Sequence, residues 1–102
     1  MKFKDSKHDM YFSRFMVATE RRMKQYTVEE FKDYLFSYGE YEDSYKEIVD
    51  GKLVRVDYFV LKETPSLTKE FMITKDGRLL YVLNVNTICE LVDEEREVKE
   101  NE

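Results

Sequence analysis

Two Asp-Gly dipeptides, Asp50-Gly51 and Asp76-Gly77, place the tightest constraint on what this chain can fold into. Each interrupts apolar runs of period two. A two-residue hairpin turn needs φ > 0, which glycine adopts freely and aspartate tolerates. Ile48-Val49-Asp50-Gly51-Lys52-Leu53 therefore reads as a hairpin. The strand that follows, over residues 52–62, puts Val54, Val56, Tyr58 and Val60 on one side, the expected core side. Glu63-Thr64-Pro65-Ser66 breaks it. A further strand over 69–75 meets the second Asp-Gly turn and continues over 78–85. There Leu79-Leu80-Tyr81-Val82-Leu83 is apolar on both faces, so it is expected to be the most buried strand. Successive hairpins point to an antiparallel meander of three to four strands.

The flanks read as helical. Phe12, Phe15, Met16, Met23 and Tyr26 fall on helical spacing and predict an amphipathic helix over 9–25. The competing reading is a strand over 11–18, where aromatic and β-branched residues concentrate. Thr27-Val28-Glu29-Glu30 is a capping box that opens a helix from Val28 to Tyr38, ended by Gly39. Thr87-Ile88-Cys89-Glu90 repeats the pattern and predicts a C-terminal acidic helix. The expected architecture is thus α+β: two N-terminal helices, the meander, and the acidic helix. With 102 residues it is one domain, spanning 1–102, with 1–8 and 98–102 expected to be mobile.

Composition narrows the function classes. A single cysteine, Cys89, excludes an internal disulfide, and a single histidine, His8, excludes a conventional zinc cage. Three scattered glycines exclude a phosphate loop or a dinucleotide fingerprint. No cofactor or metal is expected. No apolar run reaches the ~18 residues of a membrane span, and no secretory leader is read at the N-terminus, so the expected setting is cytoplasmic. The net charge of −5 is unevenly spread: residues 1–25 carry a local +4, residues 26–50 a local −6, and residues 89–102 a local −5. That asymmetry bears on partners, not on fold.

Two clusters stand out as candidate sites. Tyr34, Tyr38, Tyr41 and Tyr45 recur at helical spacing, and Glu40, Asp43, Glu47 and Asp50 recur beside them, with Glu42 between. Were the helix to run on to Asp50, a row of carboxylates would flank a row of phenols. Such a row can imitate a phosphate backbone and compete for basic grooves. Gly39 and the Asp50-Gly51 turn argue instead for a loop and then a strand, which would scatter both rows. The alternative site is the basic head, where Arg14, Arg21, Arg22 and Lys24 would contact nucleic-acid phosphates. A pI near 5.0 disfavours direct nucleic-acid binding and suggests that these cations face acidic groups. Cys89 reads as a small buried hydrophobe, His8 as a solvated side chain, and the carboxylate pairs as exposed surface.

No nucleophile–base pair appears, so no enzyme is expected. The reading that fits is a non-catalytic protein-interaction module. In composition the chain is similar to small acidic inhibitors made by phages and other mobile elements, and the expectation is an inhibitor that binds a host or defence protein by occupying its nucleic-acid-binding surface. The alternatives are a small-ligand or nucleotide-binding domain using Arg55, Tyr58 and Tyr81, and an oligomerising structural or assembly subunit.

Overall fold

The computed structural model describes residues 1–12 and 18–94. Both Asp-Gly dipeptides do turn the chain, by different means. Asp50 (φ 53) and Gly51 (φ 76) are both left-handed, joining β2 (Glu40–Val49) directly to β3 (Lys52–Thr64). The second turn uses four residues, of which only Gly77 has positive φ (91), between β4 (Leu67–Thr74) and β5 (Leu79–Asn84). There the Thr74 hydroxyl donates to the Asp76 carboxylate and accepts the Arg78 N–H at 2.9 Å.

The sheet is larger than the sequence suggests. With β1 (Lys2–Phe3) and β6 (Thr87–Val92) it has six strands in the order β1-β6-β5-β4-β3-β2, every neighbouring pair antiparallel. The expected architecture of two N-terminal helices, a shorter meander and a C-terminal acidic helix is therefore overturned. Residues 87–92 form a strand because they are apolar on both sides. Cys89 and Leu91 are fully buried on one face, while Ile88 and Val92 are half-buried on the other. A helix would bury one stripe and leave the edge of β5 unpaired. The strand satisfies that backbone through Leu79↔Leu91 and Tyr81↔Cys89. Asn84 helps to turn the chain, its side-chain oxygen accepting the Asn86 N–H at 2.8 Å.

The N-terminal region departs as well. In place of one helix over 9–25 there is a 3-10 helix, Ser6–Tyr11, and a short helix α1, Ala18–Gln25. Most of the alternative strand over 11–18, residues 13–17, lies outside the described residues, as do residues 98–102 of the expected mobile tail. At the N-terminus Met1 is 4% and Phe3 is 2% exposed, and the Phe3 ring lies tilted against that of Phe12 with centroids 4.6 Å apart. Helix α2, Val28–Tyr38, carries the capping box in full, with Thr27 and Glu30 exchanging side-chain-to-backbone bonds. Gly39 then passes the chain straight into β2. A Cβ there would sit 2.6 Å from the Leu35 carbonyl oxygen, so only glycine lets the helix end this close to the strand.

The two sheet faces are buried differently. On one, Phe59, Leu61, Phe71, Ile73, Leu79, Tyr81 and Cys89 pack against Met23, Phe31 and Leu35 of the helices. Phe71 lies at its centre, 5.0 Å from the Phe31 ring and 5.1 Å from that of Tyr81. On the other, Val49, Val56, Met72 and Leu80 form a second buried cluster that includes no residue of α1 or α2. The face expected to be the core, with Val54, Val56, Tyr58 and Val60, is this helix-free one. The helices instead cover Phe59 and Leu61, whose larger side chains bury more apolar area.

Candidate functional site

Alternation along β2 sends Asp43, Tyr45 and Glu47 to the helix-free face, opposite Tyr58, Val56 and Val54 of β3. A bulge between Tyr41 and Asp43 breaks the period, so adjacent Glu42 and Asp43 reach the same place. From β4 come Glu70 and Met72, from β5 Val82 and Asn84, from the following turn Val85, and from β6 Ile88. Together these residues line a cup of about 560 Å³, within the size range of ligand sites.

Curling of the sheet makes the cup. β2 and β5 are separated by β3 and β4 in the sheet, yet both line it. In a neighbouring recess Val49 and Asp50 meet Leu80, Ile88 and Glu90. Arg78 ties the curl across that side. Its guanidinium donates to Asp50 at 3.2 Å, Asp76 at 3.4 Å and Glu90 at 3.5 Å, joining two turns and β6.

The cup has a polar rim and an apolar floor. Met72 lies at the base, 1% exposed, and the Tyr45 hydroxyl donates to its sulfur at 3.6 Å. Tyr45 and Tyr58 stand side by side with ring centroids 6.3 Å apart. Burial, the charges of Glu47 and Asp43, and then that of Glu70 push the Tyr45 phenol above its ordinary value. The Tyr58 phenol is pushed up much further, first by burial and then by its hydrogen bond to Glu70. Both are therefore neutral donors at neutral pH. Around them stand four carboxylates, Glu42, Asp43, Glu47 and Glu70, and among the described residues no lysine, arginine or histidine lines the cup. None of the four is ion-paired among the described residues, whereas Asp50, Asp76 and Glu90 all share Arg78.

The residues singled out from sequence divide three ways. Glu42, Asp43, Tyr45 and Glu47 line the cup. Tyr34 and Tyr38 remain on α2, with the Arg22 guanidinium 4.9 Å from the Tyr34 ring centroid. Tyr41 lies against Phe59, and Glu40 pairs with Lys62 at 3.2 Å. The continuous helical rows are thus broken at Gly39, and two-residue alternation replaces them. In the basic head, Arg14 lies outside the described residues, Arg21 is exposed, and Lys24 sits 4.9 Å from the Phe12 ring centroid. Of the ligand-site trio, Tyr58 is in the cup, while Tyr81 is buried in the helix-covered core and Arg55 lies outside the cup lining. Cys89 is buried on β6, and burial pushes its thiol up, the opposite of a helix-start nucleophile. His8 is half-buried between Phe3 and Tyr11 rather than solvated.

Glu70, Met72, Val82 and Ile88 were not anticipated as site residues. Period-two counting through the hairpins would have placed the first three beside Tyr58, since Tyr58 pairs with Met72, and Glu70 with Val82. Ile88 required β6 to be read as a strand. No family model, no curated protein and no solved structure matches the chain. No described helix is long and apolar enough to cross a membrane.

Proposed function

We propose that this chain is a non-catalytic protein-interaction module that docks, through the acidic cup and the adjoining edge strand β2, on a basic surface of a protein partner. The observation that carries this reading is the convergence, around a partly apolar cup, of four carboxylates with no countercharge among the described residues. Like charges gathered at one mouth repel one another, and a partner's cations relieve that repulsion on binding. The phenols and the exposed Val85 (92%) supply contact area beside the charge. Surfaces that bear such cations in quantity are those built to hold nucleic acid, so inhibition or adaptation of a nucleic-acid-binding protein is the class of action that follows.

The basic head fits a direct nucleic-acid role less well. Arg22 and Lys24 lie over rings of this same chain, at 4.9 Å each. The test is affinity capture from nuclease-treated lysate with the wild type and with an Asp43→Lys/Glu47→Lys variant. One stoichiometric partner, retained after nuclease and lost with the double variant, is the expected result. Capture that depends on nucleic acid, or that ignores the double variant, would refute the reading.

A further inference from the structure

The cup has a specific shape as well as a charge, and shape selects the kind of cation. Its base is apolar, formed by Met72, Val82 and Ile88, and its wall carries two neighbouring phenol rings. A compact hydrated cation gains nothing from such a base. A cation carried on an aliphatic stem gains twice, because the stem covers the apolar atoms while the charged head reaches the rings and the carboxylates. An anion is opposed by every formal charge lining the cup. A neutral apolar ligand leaves the four carboxylates uncompensated.

Resting on the reading of the chain as a module for basic partners, we infer that the cup is a receptor for a single cationic side chain, lysine or arginine, projecting from the partner. The stem lies over Met72 and Ile88, and the charged end sits beside Tyr58 within reach of Glu70 and Glu47. Charge complementarity identifies the occupant as part of a basic surface. The Glu42–Asp43 pair at the bulge faces the flanking cations that such a surface carries.

The test uses the full chain with ¹³C-labelled methyl groups and follows Met72, Val82 and Ile88 by NMR during titration. The probes are a short peptide with a central lysine flanked by basic residues, the same peptide with the central lysine Nε-acetylated, and spermidine. The lysine peptide is expected to shift these three methyls and to bind at least tenfold more tightly than the acetylated one. Its affinity should fall several-fold between 50 and 300 mM salt. Glu70→Gln should weaken it three- to tenfold, and Tyr58→Phe, which keeps the ring, by less than threefold. Glu47→Gln, at the rim, gives a second charge-removing variant should Glu70→Gln disturb the fold, which the methyl spectrum reports directly. Equal binding of the acetylated peptide, no methyl shift at millimolar peptide, or tighter binding of spermidine than of the peptide would each overturn the inference.

The two proposals fail separately. Peptide binding at the cup with no captured partner leaves the receptor standing and removes the broader reading. A captured partner lost with Asp43→Lys/Glu47→Lys, with no peptide response at the methyls, does the reverse.

Discussion

The two faces of the sheet draw on the same strands and solve burial in opposite ways. β3, β4 and β5 send alternate side chains to each side, and both sides contain residues at or near zero exposure. On the covered face, Phe71 is sealed by Phe31 from a helix. On the other, Met72 is just as buried without a helix, because the sheet curls and its own half-buried residues close over it. A layer packed against helices has no room to give. A layer sealed by curvature can yield, and it opens into a cup. Where a sheet covers itself, the leftover space becomes available for binding.

Truncating adjacent residues on β4 breaks this comparison most sharply. Phe71→Ala should cost about 3–5 kcal/mol, because the cavity is enclosed on both sides and cannot collapse. Chemical denaturation would read this as a large fall in midpoint. Met72→Ala should cost less, about 2–3 kcal/mol, since the cup can relax or admit water over the gap. Equal losses would mean that the faces are equally rigid.

A high-pH titration sharpens the contrast next. The Tyr58 phenol is raised above its unfolded value, by burial first and then by Glu70. The stability this contributes is fully present below about pH 10, the ordinary tyrosine value, and is lost as pH rises toward the folded value. Wild type should therefore lose more stability between pH 9 and 11 than Tyr58→Phe, measured by denaturant midpoints. Identical slopes would show that Tyr58 is not held neutral by the fold.

The smallest expected effect is at Arg78. Asp50 and Asp76 are largely exposed where they meet it, so Arg78→Ala should cost about 1 kcal/mol or less, and less still at high salt. The variant should nevertheless perturb the Ile88 and Val82 methyls more than those of the Phe71 layer, because the tie spans the helix-free side only.

What could be read from the chain beforehand was local. The capping box at Thr27–Glu30 and the Asp50-Gly51 turn each state their geometry within four residues, and both form as the residues imply. Thr87–Glu90 carries the same capping pattern and becomes a strand, because pairing with β5 outweighs a local cap. The two-residue β1 has no signal of its own and exists through its pairing with β6. Likewise, the apolar face of Val54, Val56 and Tyr58 was visible, but which face the helices would cover depends on matching Phe59 and Leu61 to Phe31 and Leu35. At the site, Glu42, Asp43, Tyr45 and Glu47 were legible as a charged aromatic segment. Their partners Glu70, Met72 and Ile88 come from strands 23 to 46 residues further along, and only the register brings them together.

Gly39 has a consequence that reaches beyond the helix it ends. With no loop between α2 and β2, any tilt of the helix on its own face is handed directly to the strand that forms the outer wall of the cup on the other. On the receptor reading proposed above, helix packing and occupancy of the cup would be linked equilibria: a change that loosens α2 would lower affinity, and filling the cup would steady α2 by the same free energy.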